Sequence, residues 1–557
     1  MAPSPPRGRL LLLLPPLLFL GLFYFYPLAR IFAVSFFPGD LWSPLEPKKL
    51  FTSGYYLSRL WFTFWQAAVS TLLTLALALP GAGLLARYDF RGRATLQTLA
   101  TIPFVLPTVV VASAFQALLG PHGLVNTGLM AIWDLPAPPI RVHQSVGMIL
   151  AAQVFYNYAV VLRIVGGFWA QLAPEINEAA RMLGASGWQA FRRVTLPLLQ
   201  PAILAAALLV FMFCFSSFGV VLILGGPRLA TIEVEIYRQA VHLFNLPLAG
   251  ALSLVQILFT FALMWAYTAL QRRSALALMP AAPAFGRRAV QTAGERLFLG
   301  LGLLPAAVFL SAPLAALLLQ SVTTENGLGL AFYRALVENP SQSLFFVPPF
   351  HAMGYSVGFA LTALLLAVAV GLPAALFLAG PPSRLSALLD PLFMLPLSTS
   401  AVTLGFGFII ALDRPPLNLR NSPWLVPVAH CLVAFPFVLR SLLPALRSIP
   451  ESLREAASLL GASPRQVWRS VDLPIIGRAL LVGMVFAFTV SMGEFGATAL
   501  VARPQTPTMP LAIFRFLGQP GALNYGQAMA MSSLLMMVTA AGFVLLEKLR
   551  PETSGGF

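Results

Sequence analysis

Two polar segments in an otherwise apolar chain carry the residues best suited to act on another molecule. Residues 178–186 read EAARMLGAS and residues 455–463 read EAASLLGAS, 277 positions apart. Each sets a carboxylate, Glu178 or Glu455, next to a pair of alanines, Ala179-Ala180 or Ala456-Ala457. A helix surface with so little side-chain bulk lets a second backbone come close beside a charge. Gly184 and Gly461 then stand where a left-handed residue ends a helix, a conformation glycine enters without a Cβ penalty. The chemistry expected of these segments is docking rather than bond making.

Little else in the chain resembles a reactive centre. The five histidines, His122, His143, His242, His351 and His430, are scattered, and no cluster with carboxylates or thiols marks an enzyme. Cys214 and Cys431 both lie in apolar runs and read as small core residues. No metal site is assigned. A GxxxxGK[ST] phosphate loop is absent, as is any polar stretch long enough for a nucleotide-binding domain, so nucleotide hydrolysis would belong to another subunit. One further residue stands out: Glu494, in the run SMGEFG, falls within an apolar stretch where an ionised carboxylate costs several kcal/mol unless paired or wetted. Its counterpart at the 277-residue offset is Ser217. These two and the adjacent Phe218 and Phe495 are candidates for a translocation pathway, with Phe213 and Phe215 nearby. Two readings of Glu494 stay open: contact with cargo, or a hydrogen bond to a neighbouring helix.

The elements that position these residues follow from hydropathy. The chain is 58% hydrophobic and 10% charged, with a mean hydropathy of +0.82, which describes a polytopic membrane protein. A spanning helix needs about 20 mostly apolar residues. About twelve such stretches are expected, near 9–36, 61–86, 95–119, 145–169, 201–226, 246–271, 296–321, 352–379, 386–412, 422–443, 479–501 and 522–546. The first follows Arg7 and Arg9 like a signal peptide, but it runs on through Phe23 to Tyr26 without a small-residue cleavage site and is read as a retained anchor. The net charge of +16 comes from basic residues spread through short loops, so no nucleic-acid partner is expected. With a cytoplasmic N-terminus, about 23 of the 35 Lys and Arg fall on the cytoplasmic side, which also places the C-terminus there.

The 277-residue offset extends beyond the polar segments. It carries Arg163 onto Arg440, Gln189 onto Gln466, Leu196-Pro197 onto Leu473-Pro474 and Phe218-Gly219 onto Phe495-Gly496. The chain therefore reads as a duplication, with a first half over 1–275, a linker over 276–295 containing Arg287 and Arg288, and a second half over 296–557. Six spans per half keep both copies in the same orientation. Within each polar loop, about 174–190 and 450–467, a first helix opens at Pro174 or Pro450 with Glu175 or Glu451 in its first turn. A second restarts at Ser186 or Ser463 in a capping box with Gln189 or Gln466, with Pro464 at its first position, and ends near Leu196-Pro197 or Leu473-Pro474. Pro80, Pro103, Pro107, Pro373 and Pro396 are expected to kink spans, and Arg163 and Arg440 to snorkel from span ends.

The paired Glu-Ala-Ala…Gly loops before the last two spans of each half resemble the EAA loop of binding-protein-dependent ABC importer permeases. The resemblance implies an all-α polytopic fold of two six-helix type I permease halves, with each loop forming a coupling helix that docks on an ATPase subunit. It implies two ATPase copies carrying ATP and Mg, no cofactor on this chain, an extracytoplasmic substrate-binding protein, and residence among the lipids of a bacterial plasma (inner) membrane. The fused halves and the runs FMFCFSSFGVVLILGG, TIEVEIYRQA and SMGEFGATAL resemble permeases of the ferric-iron and thiamine branch. On that resemblance ferric iron is the expected cargo, with thiamine the alternative and polyamines or inorganic anions behind it. An ion-coupled secondary transporter is the rival of another class, but it leaves the paired loops unexplained.

Overall fold

The computed structural model describes residues 10–37, 42–275, 288–324, 327–338, 348–413 and 417–549. Among them, eleven helices are long and apolar enough to cross a membrane, and a twelfth crossing arises if one bent pair counts as a span. Helices satisfy every backbone group internally, which is why an apolar solvent selects them. Most of the expected spans appear within a few residues, from Leu11–Phe36 to Ala522–Lys548. The expected linker lies for residues 276–287 outside the described residues. Beyond it, Arg288–Ala289 forms a short parallel pair with Tyr88–Asp89, and the second half's first helix starts at Ala293 behind a Thr292–Glu295 capping box.

Two differences from the expected spans bear on the site. The third span of each half is broken: Arg93–Val105 gives way to Thr108–Leu119 at Leu106-Pro107, and Arg384–Ser398 meets Ala401–Ala411 at an angle of 94°. Proline bars the residue before it from helical backbone, which accounts for the first break. In the second, Ser400 stops one helix and caps the next, accepting from the N–H groups of Val402 and Thr403. The fifth spans also begin earlier and end earlier than hydropathy indicates, at Gly187–Phe215 and Pro464–Gly493. The short helix after each polar segment does not stop at Leu-Pro. It passes through a π-turn, Phe191–Thr195 or Trp468–Asp472, directly into the span. Pro197 and Pro474 sit in the first turn beyond it, where the wider turn leaves no hydrogen bond for a missing N–H to break. The π-turns fall 277 residues apart, so the duplication extends to local backbone geometry.

Close packing rests on small residues, as it must where lipid and side chains are equally apolar. A Cβ on Gly483 would lie 3.1 Å from the Cα of Val438, and one on Gly371 would lie 3.1 Å from a Val438 methyl. The halves are interlocked rather than side by side. The first span, Leu11–Phe36, packs on Ala401–Ala411 and Pro349–Leu378 of the second half, and the Tyr24 hydroxyl bonds Thr399 Oγ1 at 2.7 Å. Reciprocally, Ala293–Val322 packs on Thr108–Leu119 of the first half, with Phe309 against Phe115 and Phe155.

Candidate functional site

Both polar segments follow the fourth span of their half, so the topology puts them on one face of the bundle. The helices are Pro174–Met182 and Glu451–Leu459, the latter opening at Glu451 with Pro450 as its cap rather than within its first turn. Gly184 and Gly461 end them at φ +84° and +85°, the left-handed conformation expected. The capping boxes follow, with Gln189 and Gln466 accepting from the Ser186 and Ser463 N–H groups at 2.9 and 2.8 Å. A cross-brace ties each segment to its π-turn: Thr195 Oγ1 donates to Asn177 Oδ1 at 2.8 Å, and Arg454 Nε to Asp472 Oδ1 at 2.8 Å. The chemistry of the brace differs between halves, but its position does not.

Glu178, Ala179, Glu455 and Ala456 are exposed, while Ala180 and Ala457 are half-buried. Sequence reading missed the residues between them and the glycines. Met182, Leu183, Leu459 and Leu460 are each 89% exposed, two apolar pairs at equivalent positions projecting from the segment ends. Apolar side chains held this far from their own protein are the mark of a surface made to be covered. The signal was present in the repeat itself, which keeps an apolar pair before each glycine.

At the other site, the structure brings two of the four candidates together. The Phe218 and Phe495 rings stack across the two halves at 5.5 Å with planes 25° apart. Tyr237 abuts Phe218 at 5.4 Å and Phe514 abuts Phe495 at 5.4 Å, completing a row of four rings. The offset of 277 relates Tyr237 to Phe514 as it relates Phe218 to Phe495, so the row is symmetric about the axis between the halves. Gly219 permits the contact: a Cβ there would lie 2.3 Å from Thr108 Oγ1 and 3.1 Å from the Phe495 ring. Phe213 and Phe215 pack elsewhere, Phe213 on Phe104 and Phe215 on Phe64 and Phe259.

Ser217 is half-buried beside this row, but Glu494 turns away from it. Its carboxylate accepts from the Ala497 and Thr498 N–H groups at 3.0 and 3.1 Å and from Thr498 Oγ1 at 2.9 Å, capping the short helix Thr498–Val501. Thr498 Oγ1 spends its one proton there, so His430 Nε2 donates to Thr498 at 2.8 Å, while its Nδ1 bonds Ser491 Oγ at 2.7 Å. In this geometry the carboxylate caps the short helix that follows it, with His430 Nε2 3.4 Å from its Oε2. Glu494→Ala is expected to cost about 3 kcal/mol of stability by leaving buried donors unpaired, seen as a lower thermal unfolding midpoint. An unchanged midpoint would show that the cap contributes nothing. At the equivalent positions of the first half stand Gln153, Cys214 and Val221, and Gln153 accepts from Ser70 instead.

The arginines also differ from expectation. Rather than snorkelling alone, Arg163 reaches Glu547 of the last span at 3.4 Å, a contact between halves, and Arg440 Nε donates to Met394 Sδ at 3.2 Å. Among the described residues no three or more His, Cys, Asp or Glu side chains converge as metal ligands. The geometry is that of two interlocked bundles met by a row of aromatic rings, with two exposed polar segments that follow equivalent spans.

Known proteins resemble this chain in sequence. The profile of the family described as binding-protein-dependent transport system inner membrane component matches residues 78–275 and again 371–551. The thiamine transport system permease protein ThiP of Brucella abortus is 27% identical over 82% of this chain and 81% of its own length. That of Escherichia coli is 26% identical over 88% of each. A probable ABC transporter permease protein, y4fN of Sinorhizobium fredii, is 26% identical over 89% of each.

Proposed function

The chain belongs to the family of inner membrane components of binding-protein-dependent transport systems, as an ABC importer permease with two fused halves, and from that membership we propose that it imports thiamine. The narrower expectation of ferric iron gains no support, whereas relatives covering most of the chain carry thiamine in their names. Thiamine delivered by an external binding protein enters between the halves and passes the row of rings when they part. Ser217, Phe218 and Phe495 line that passage, and Glu494 caps the short helix beside it.

Two copies of an ATPase subunit, carrying ATP and Mg, dock on the segments around Glu178 to Gly184 and Glu455 to Gly461. The observation that carries this reading is the pair of equivalent, 89% exposed apolar knobs, Met182-Leu183 and Leu459-Leu460. Two identical ATPases need two equivalent surfaces, and the duplication supplies them. The docking face is cytoplasmic and so are both termini, in keeping with the distribution of basic residues.

The chain, its ATPase and its binding protein, reconstituted in liposomes, test the cargo. Thiamine-loaded binding protein is expected to stimulate ATP hydrolysis at least fivefold and to drive thiamine uptake, with ferric-loaded binding protein inert. Stimulation by the ferric form alone would reverse the assignment.

A further inference from the structure

Between the fifth and sixth spans of the first half, the short helix Ile232–Tyr237 carries a carboxylate that no docking or capping role explains. Glu233 is fully buried. Its Oε2 accepts from Ser400 Oγ at 2.5 Å, across the seam in the second half, and its Oε1 accepts from Gln256 Nε2 at 2.9 Å. Both partners are neutral. Among the described residues no ion pair involves Glu233. Glu235, two residues on, is tied to Tyr55 and Gln239 of its own half. The 277-residue counterpart of Glu233 is Pro510, which makes the acid a feature of one side of the seam only.

Three further polar atoms near it lack partners in residues that are fully buried: Gln256 Oε1, on the same amide that serves Glu233, Thr231 Oγ1, two residues before it, and Thr403 Oγ1, in the turn capped by Ser400. A buried acid with only neutral partners beside several idle polar atoms is a costly arrangement in an apolar interior, and a positive charge that reached it would be held there. One helical turn beyond Glu233, Tyr237 begins the row of four rings, and aromatic faces attract quaternary cations.

We infer that Glu233, with Gln256 and the faces of Tyr237 and Phe218, forms a transient site for an organic cation that opens when the two halves part. The inference rests on the thiamine reading and deepens it: the thiazolium ring of thiamine bears a fixed positive charge that no loss of a proton can remove. With the halves closed, Ser400 donates to Glu233. As they separate, Ser400 leaves with the helix it caps and the carboxylate is released for the incoming ring. Acid and aromatic row together favour a flat cation over an anion or a neutral sugar.

The test uses the full complex in proteoliposomes, with radiolabelled thiamine uptake and binding-protein-stimulated ATP hydrolysis measured on the same preparation. Glu233→Gln is expected to lower uptake at least tenfold while stimulated hydrolysis stays within twofold of wild type, and Glu233→Asp to return uptake to within threefold. A merely structural role would lower both readouts together. Uptake at the wild-type rate by Glu233→Gln, or parallel loss of uptake and hydrolysis, overturns the inference. Failure of the wild-type complex to import thiamine overturns the function on which it rests instead. If Glu233→Gln does not assemble, the wild-type complex decides: dicyclohexylcarbodiimide is expected to label Glu233, mapped by peptide mass spectrometry, and thiamine in a vanadate-trapped complex to reduce that labelling at least fivefold. Absent labelling, or labelling that thiamine leaves unchanged, overturns it.

Discussion

Combining Gly184→Val with Gly461→Val is expected to abolish binding-protein-stimulated ATP hydrolysis, a loss of tenfold or more, while leaving the membrane-spanning bundle folded. Both glycines have open space around them, so the penalty comes from backbone conformation alone, at φ +84° and +85°. A left-handed L-residue costs about 1–2 kcal/mol, with β-branched residues the worst case, so two sites remove about 2–4 kcal/mol from the docking-competent conformation. At about 1.4 kcal/mol per decade this is a thirtyfold or greater fall in its population. The turn relaxes and the two exposed apolar pairs swing off their positions. Gly184→Asn with Gly461→Asn is the control, because asparagine tolerates the left-handed region and should retain most of the stimulation. Normal stimulation in the valine variant would mean that the segments do not couple the ATPase.

Gly219→Val is expected to have the second large effect, at the row of rings. Its Cβ would fall 2.3 Å from Thr108 Oγ1 of the same half and 3.1 Å from the Phe495 ring across the seam, so relief displaces Thr108 and the added methyls press Phe495 away from Phe218. Interiors packed at crystal density cannot absorb such an overlap without backbone shifts costing about 1–3 kcal/mol. With Phe218 and Phe495 separated, the closed constriction is lost. Liposomes containing the variant should leak preloaded thiamine at least tenfold faster than wild type in the absence of ATP. A tight membrane would show that the four rings are packing rather than a barrier.

Much of this architecture was legible in the residues themselves, and the reason is local. A run of apolar residues long enough to span lipid declares itself at any position, as does a helix end that needs glycine. The register of 277 between EAARMLGAS and EAASLLGAS exposes the duplication because both copies face the same constraints. What stayed hidden depends on partners far along the chain. Nothing near Glu494 announces that His430, far earlier in the chain, will stand beside it, and nothing near Glu233 announces Ser400, 167 residues away. The continuous helix through Leu196-Pro197 was hidden for another reason. Proline usually ends a helix, and only the π-turn before it lets the backbone continue. Tyr237 and Phe514 were within reach, since the offset that pairs Phe218 with Phe495 pairs them too.

The interlocking of the halves has a bearing on synthesis. The Tyr24 hydroxyl finds its partner, Thr399, 375 residues later, and the surface that covers Leu11–Phe36 belongs largely to the second half. At about 5–20 residues per second a ribosome takes roughly 20–75 s to reach it. Throughout that interval the Tyr24 hydroxyl and the face turned to the second half wait for their partners, while the first half's own Leu246–Ala275 covers part of the same helix. Fusing the two halves in one polypeptide sets a limit on that wait, because the missing surface is always the next thing the same ribosome makes.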